Sequence, residues 1–183
     1  SGRRVARMAM KGVAARHPAF DAKRGQPVDL EGRIGICRAE QQKAPAFALE
    51  SRELLALSAL VARQSRGMPI DSKDERLKPF IDKGRALFTT RQGQLDLACA
   101  QCHDDNWGKK LAGIPMPQAH PTGYPVYRLE WQTVGSLQRR LRNCMIGMRA
   151  DTYPYGAAEY IALETFLMWR ARGMLMESPA VRP

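Results

Sequence analysis

Apolar residues recur at helical spacing in several parts of the chain, and each of these parts predicts a helix. The clearest pattern covers 50–66, where Leu54, Leu57, Leu60 and Val61 are placed on one face and Gly67 ends the repeat. Weaker patterns of the same kind predict three more helices, over residues 79–90, 129–141 and 157–172.

The segments between these helices are polar or rich in Gly and Pro. Asp29 is placed to cap a short helix, Leu30 to Ile36, that runs into Cys37. Residues 67–79 read as a linker, while 104–128 and 149–156 read as loops. No strand pattern is evident, so the sequence predicts an all-α fold.

Length and composition fit a globular protein of one large or two small domains, with 183 residues, 44% hydrophobic and 26% charged. No apolar run is long enough for a membrane span. The basic start, residues 1–4, is followed by an apolar stretch that Lys11 interrupts, which is a poor signal peptide and suggests a mature or trimmed chain.

The net charge of +11 is compatible with a solvated basic surface, an anionic substrate or an acidic protein partner. Nucleic acid is disfavoured, since no binding motif is present and aromatic residues make up only 7% of the chain.

A five-residue motif carries the chemistry: Cys99-Ala100-Gln101-Cys102-His103. Two thiols at this spacing can form thioethers with one porphyrin, and the adjacent His can ligate its iron. The motif therefore predicts one covalently attached haem c, with assembly outside the cytoplasm and, in a bacterium, a periplasmic location. A thioredoxin-like pair would need a βαβ context, and a structural zinc site would need two more close ligands, which the scattered spare Cys and His residues do not supply.

The order of elements matches a small cytochrome c: a helix, the haem motif, a loop-rich middle, a distal ligand and a last helix. Gly84 and Phe88 in the helix over 79–90 could pack against Leu163 and Phe166 in the last helix, because Gly allows close backbone approach.

An internal repeat divides the chain. Leu30, Arg33 and Cys37 recur at the same spacing in a second set, Leu137, Arg140 and Cys144. Downstream, six positions match six others: Glu53, Ala56, Leu57, Arg66, Gly67 and Met68 with Glu159, Ala162, Leu163, Arg172, Gly173 and Met174. We therefore expect two tandem cytochrome c-like domains. Residues 1–75 would be the back part of one that lacks a haem motif, and 76–183 the haem c-binding domain.

The repeat also bears on Cys37. Transferred to Cys37, the spacing between Cys99 and Cys144 puts a first haem motif before Ser1. Cys37 is then either the ligand of a haem that this chain does not wholly supply, or a partner of an upstream Cys in a disulfide.

The distal ligand of the haem has several candidates. Electron-transfer cytochromes use Met, and the candidates of that type are Met116, Met145, Met148, Met168, Met174 and Met176, with His120 as a further possibility. Cys144 is the sharper candidate, because it lies downstream of the motif after a basic helix whose Arg139, Arg140 and Arg142 would favour its thiolate.

Arg140 lies one helical turn before Cys144, so both would face the same way and the guanidinium could hold a small oxyanion. On spacing alone, Arg140 could equally pair with a haem propionate or lie on the surface, and Cys144 could be a buried structural thiol.

Four segments resemble the SoxA family of cytochromes: Met10-Lys11-Gly12-Val13-Ala14-Ala15-Arg16, Cys99 to His103, Tyr127-Arg128-Leu129-Glu130-Trp131-Gln132-Thr133, and Arg140-Leu141-Arg142-Asn143-Cys144 with Gly147 and Arg149-Ala150. The resemblance implies a catalytic subunit of L-cysteine S-thiosulfotransferase. It implies haem binding through Cys99, Cys102 and His103, Cys144 as distal ligand and reactive sulfur, often a persulfide in this family, and Arg140 as the substrate contact.

The reaction that the resemblance implies is oxidative coupling of thiosulfate to a cysteine of the SoxYZ carrier, with electrons passing to a SoxX-type cytochrome. The family includes members in which a disulfide replaces the first haem, and the missing first motif fits that pattern. Two other hypotheses remain open: an electron-transfer cytochrome with His and Met ligation, and a first half that serves as a binding module for a partner cytochrome.

Overall fold

A computed structural model describes residues 10–71 and 73–183; the basic start of the chain lies outside them. Within this part of the chain the structure contains six α-helices: α1 Leu30–Ile36, α2 Arg52–Arg63, α3 Lys78–Thr89, α4 Cys99–His103, α5 Leu137–Gly147 and α6 Ala158–Arg170. Single turns of 3₁₀-helix cover Ala14–Arg16 and Glu75–Leu77, and a π-helical turn, Cys37–Gln41, extends α1.

The prediction of an all-α fold is wrong, because seven short strands accompany the helices in the described part of the chain. They are β1 Ala19–Asp21, β2 Gln26–Val28, β3 Lys110–Leu111, β4 Ile114–Pro115, β5 Val126–Arg128, β6 Thr133–Gly135 and β7 Ala180–Arg182. β1–β2 and β3–β4 are antiparallel pairs, and β5 lies between antiparallel β6 and parallel β7. Strands of two or three residues are too short to show alternation in the sequence.

Local capping explains the helix starts in the first half. Asp29 caps α1 as predicted, since its Oδ1 accepts a hydrogen bond from the Gly32 amide at 2.8 Å. Ser51 does the same for α2 through the Leu54 amide at 3.3 Å. Gly67 follows α2 with a positive φ of 77°, which agrees with its predicted role in ending this segment.

The helix predicted over 129–141 begins later than predicted. Residues 126–135 form the β5–β6 hairpin instead, and α5 begins where the Ser136 side chain accepts from the Arg139 amide at 3.1 Å. The helix then continues past the predicted end, so that both Arg140 and Cys144 lie inside it.

The predicted contact between the helix before the haem motif and the last helix is confirmed. A Cβ built on Gly84 of α3 would lie 2.1 Å from the Ala162 carbonyl oxygen of α6, so only glycine permits this approach. The Phe88 and Phe166 rings pack with their centroids 5.4 Å apart.

The two halves of the internal repeat meet at equivalent positions. Pro69 and Leu175 form an antiparallel bridge, and they differ by the repeat offset of 106 residues. The four backbone hydrogen bonds around this bridge also form two equivalent pairs: Gly67 N to Met176 O with Gly173 N to Ile70 O, and Ile70 N to Met174 O with Met176 N to Met68 O. A local two-fold axis therefore relates 67–70 to 173–176.

Two hydrophobic clusters form the core. One joins the first half to Met168, Ala171 and Met176 from the second, around Leu54 and Ile70. The other lies between α3, α5 and α6 and carries the haem motif at its edge, where Cys99 packs. Among the described residues, no helix combines the length and the apolar character that crossing a bilayer requires.

Candidate functional site

The haem motif occupies α4, a helix of five residues that ends with His103. Its first turn is closed by the Gln101 side chain, which accepts a hydrogen bond from the Ala98 amide at 2.8 Å. Asn106 donates to the Gln101 carbonyl at 2.7 Å, so the loop after the motif is tied back to it. Cys99 and Cys102, both half-buried, are therefore presented from one short and well-fixed turn.

His103 is oriented by its neighbours. Its Nδ1 donates to the Pro117 carbonyl oxygen at 2.6 Å, which leaves Nε2 free to act as a ligand. The Phe88 ring lies 6.3 Å away, centroid to centroid. Arg170 forms an ion pair with Asp104 next to the motif, and so ties α6 to the end of α4. Burial lowers the pKa of His103 below its ordinary value, which favours the neutral ligand form.

A cavity of about 370 Å³ lies beside His103. We call it the haem cavity. Its wall is largely apolar, and the apolar side chains come from several elements: Ile114, Ala119, Val126, Leu137, Leu141 and Leu167. A volume in the range of small-molecule sites, an apolar wall and a convergent His suit a flat hydrophobic cofactor.

Helix α5 presents Arg140 and Cys144 to this cavity on the same face as Leu137 and Leu141. This agrees with the predicted one-turn relation of Arg140 and Cys144. Arg140 is half-buried, and it forms no ion pair within the described ranges, so its guanidinium is available to an anion.

The prediction that three cations surround Cys144 is wrong for two of them, Arg139 and Arg142. Arg139 stacks over the Trp131 ring at 4.6 Å, and Arg142 stacks over Tyr155 at 4.8 Å and donates to the Tyr153 carbonyl. Both lie outside the cavity, because the helical rotation of about 100° per residue places them on other faces of α5 than Arg140.

Sequence reasoning missed Arg128, the second cation that acts on Cys144. This side chain is only 6% exposed and lines the haem cavity. Its Nε donates to the Pro183 carbonyl at 2.8 Å, and it pairs with Glu130 at 2.9 Å. The alternation of β5 turns Val126 and Arg128 inward together, but a strand of three residues gave no signal in the sequence.

Burial is the largest influence on Cys144 and raises the pKa of its thiol, while the charges of Arg140 and Arg128 oppose that effect. Tyr124 also lines the cavity, and burial raises its pKa to about 12, so its hydroxyl stays protonated.

The six methionines considered as distal ligands all lie outside the lining of the haem cavity. Met145, Met148, Met168 and Met176 are core residues, and Met174 is exposed. His120 does line the cavity, together with His103. The charges of Asp104 and Arg170 act on both imidazoles, and the charge of Arg140 acts on both His103 and Cys144.

Comparison with known proteins gives a consistent result. Residues 4–70 and 83–176 match the family described as SoxA/TsdA, cytochrome c domain. The L-cysteine S-thiosulfotransferase subunit SoxA of Pseudaminobacter salicylatoxidans is 36% identical over 175 residues, which cover 94% of this chain and 61% of that protein. The SoxA of Paracoccus pantotrophus is 30% identical over 174 residues, covering 94% of this chain and 60% of the relative.

The fold is similar to that of a solved structure, described as SoxXA from P. pantotrophus, with a TM-score of 0.91 and 30% identity. The match covers 95% of this chain and 66% of that chain. This chain thus spans about three fifths of the length of the relatives it matches.

The predicted covalent haem c is confirmed by the cytochrome c family match and agrees with the fit of the haem cavity. Taken with the arrangement of α4 beside the cavity, these matches show that the chain belongs to the SoxA/TsdA cytochrome c domain family.

Proposed function

We propose that this chain is the haem-binding catalytic part of an L-cysteine S-thiosulfotransferase that works in the periplasm. Its substrates are thiosulfate and a cysteine of a carrier protein of the SoxYZ type, and its electron-accepting partner is a SoxX-type cytochrome. The names of the similar proteins support this proposal, because the relatives are SoxA subunits and the similar solved structure is of SoxXA.

One observation carries the proposal. A sulfur from Cys144 and an unpaired guanidinium from Arg140 line the same cavity as His103. In a plain electron carrier, Arg140 would serve only to pair with a haem propionate or a docking partner. A cation next to a nucleophilic sulfur suits a small anionic substrate with a reactive sulfur end.

We infer that haem c would be attached through Cys99 and Cys102, and that His103 and Cys144 would be the ligands of its iron. The lining of the haem cavity supports this assignment over methionine, since no methionine among the described residues contributes to it. We favour Cys144 over His120 because α5 presents Cys144 to the cavity on the same face as Arg140 and Leu141.

The protein groups each have a task in the coupling. Arg140 binds and neutralises the sulfonate end of thiosulfate, and Arg128 adds a second, fixed positive charge. The Cys144 sulfur receives or holds the sulfane sulfur, and the apolar wall excludes water from it. Bound haem c supplies a one-electron acceptor next to the reacting sulfur. In sum, the carrier thiol and thiosulfate give an S–S bond, one proton and two electrons.

For the domain organisation we keep residues 1–75 as the back part of one cytochrome c-like domain and 76–183 as the haem domain. The paired hydrogen bonds around Pro69 and Leu175 support this division, since equivalent segments of two repeats meet there. Met168 on α6, together with Ala171 and Met176 after it, completes the core of the first half. These three side chains would then form the interface between the domains.

Low-temperature EPR with far-red absorption of the oxidised, haem-loaded protein tests the ligand assignment. We expect a low-spin thiolate signal and no Met–iron charge-transfer band. A clear Met band would refute Cys144 as the ligand and leave the electron-transfer cytochrome as the better hypothesis.

Turnover with thiosulfate and a carrier thiol tests the activity. Cys144→Ala should abolish turnover while the haem stays attached through Cys99 and Cys102. Arg140→Ala should reduce kcat/KM by about a hundredfold, the usual effect of losing one fixed donor to an oxyanion. Cys37→Ala is the matched control, because Cys37 is an exposed free cysteine outside the haem cavity. Full turnover by the Cys144→Ala protein would refute the mechanism.

A further inference from the structure

A second, smaller cavity of about 50 Å³ lies between the two halves of the repeat. We call it the inner cavity. His17, Glu31 and Glu164 contribute polar side chains to it, and the rest of the lining is mainly Pro, Leu and Met. The volume is several times what one water molecule needs, and three polar side chains can bind that water.

The carboxyl groups around the inner cavity lack cationic partners. Glu164 on α6 is only 6% exposed, and Glu31 on α1 accepts a hydrogen bond from the Ser58 hydroxyl at 2.5 Å. Asp29 and Glu50 lie close enough to repel both of them. Within residues 10–71 and 73–183 none of these four forms an ion pair.

The other groups around the cluster are the amide of Gln138 and two guanidinium groups close to His17. Gln138 on α5 donates to Asp29 at 2.9 Å and accepts from the Gly156 amide at 2.7 Å, which fixes its orientation. The cations nearest to His17 are Arg33 and Arg16, and Arg33 is itself paired with Asp21 at 2.9 Å.

His17 supplies a free acceptor. Its Nδ1 donates to the Val13 carbonyl at 2.8 Å, so Nε2 carries a lone pair, and that atom is buried with no partner in the described structure. Burial lowers the pKa of His17, which keeps the ring neutral near pH 7.

These groups suit a proton rather than a metal ion. Asp29 and Glu164 are buried and Glu31 is half-buried, and within the described residues none of the three has a cationic partner, so their negative charges disfavour one another. Burial together with the charge of Asp29 raises the pKa of Glu31 to about 7, and burial raises that of Glu164 well above its ordinary value. No group of three or more His, Cys, Asp or Glu among the described residues has metal-binding geometry.

The inner cavity adjoins the haem cavity. Pro121, Tyr124 and Leu137 line both, so these three residues lie between the two spaces. A change of charge in the haem cavity is therefore felt across one layer of side chains, in a region of low dielectric.

We propose that Glu31 and Glu164 of the inner cavity take up the proton that the haem cavity releases during turnover. This rests on the proposed function. The carrier thiol loses its S–H bond as the new S–S bond forms, two electrons leave to the haem and the partner cytochrome, and the proton passes to a carboxylate of the cluster. Added negative charge in the haem cavity favours that uptake.

The test measures the haem midpoint potential against pH, from 5.5 to 9, on the haem-loaded chain without thiosulfate or carrier. In the wild type the potential should fall as pH rises through the neutral range, by at most about 59 mV for each tenfold change in proton concentration for a one-electron couple. Glu31→Gln and Glu164→Gln should each reduce this slope. Ser58→Ala should move the pH range in which the potential falls to higher pH, because the substitution removes a hydrogen bond that stabilises ionised Glu31.

Glu53→Gln is the matched control, since Glu53 is exposed on α2 and lies outside the lining of both cavities. It should keep the wild-type slope. A wild-type potential independent of pH would overturn the proposal, and so would an unchanged slope in both glutamine variants. Failure of the proposed function would show instead as absent turnover with the slope intact.

Discussion

Replacing Gly84 by alanine tests the contact on which the position of the haem motif depends. The added Cβ would lie 2.1 Å from the Ala162 carbonyl oxygen and 2.7 Å from the Phe166 Cβ. A carbon and a carbonyl oxygen normally approach to about 3.3 Å, so α3 and α6 must separate by about 1 Å. The first of these atoms belongs to the backbone and the second is attached directly to it, so neither can rotate away.

The net effect combines two opposite contributions. Overpacking in a rigid core costs about 3 kcal/mol at the upper end of its usual range, and replacing glycine by alanine in a helix returns about 1 kcal/mol. We therefore expect a loss of about 2 kcal/mol. For a chain of this size that lowers Tm by about 4–8 °C.

Thermal and urea unfolding of the haem-loaded protein measure this loss by circular dichroism. Gly35→Ala is the matched control, because a Cβ on that α1 residue would meet only the Ala46 Cβ at 3.7 Å, an ordinary contact. The control should be as stable as the wild type or slightly more so. If Gly84→Ala were as stable as Gly35→Ala, the close approach of α3 and α6 would be refuted.

Three further predictions concern the two cavities and α5. Because Glu31 has a folded pKa of about 7, raised from 4.5, it should cost the wild type up to about 3 kcal/mol of stability as pH rises across that interval; Glu31→Gln should remove this contribution and leave that of Glu164, as urea unfolding at pH 5 and pH 8 would show. Ser136→Ala removes the cap of α5 and should cost about 1 kcal/mol, measured as a lower urea midpoint. Arg128→Lys should raise the KM for thiosulfate about tenfold, or about 1.4 kcal/mol, while Arg63→Lys on the surface of α2 should not change it.

The helices that the sequence predicted best are those with strong local signals. Asp29 and Gly67 mark the beginning of α1 and the end of the α2 segment, and a cap or a positive φ is decided by one or two residues. The start of α5 was missed because residues 126–135 form a hairpin of two three-residue strands, which are too short to show alternation in the sequence. The third strand of that sheet, Ala180–Arg182, lies more than fifty residues away and leaves no local pattern either.

The site shows the same limit. The spacing of Arg140 and Cys144 was sufficient to place both on one face of a helix, and that face does line the haem cavity. Arg139 and Arg142 are equally basic and equally close in sequence, but the stacking partners that hold them elsewhere come from other elements. Arg128 reaches the cavity only because the β5–β6–β7 sheet turns it inward. The roles of Arg128, Arg140 and Cys144 in catalysis remain predictions.

The two halves of the internal repeat place equivalent cysteines in different surroundings. Cys37 and Cys144 hold equivalent positions, yet Cys37 is exposed while Cys144 faces the haem cavity. In the second half, α6 is packed against α3 through Gly84, and the β5–β7 sheet brings Arg128 and Arg182 to the haem cavity. The reciprocal backbone hydrogen bonds hold the two halves together where they are most alike. The carboxyl cluster lies between the halves, with Glu31 from the first and Glu164 from the second, so a proton site of this kind requires both repeats and could not arise in either alone.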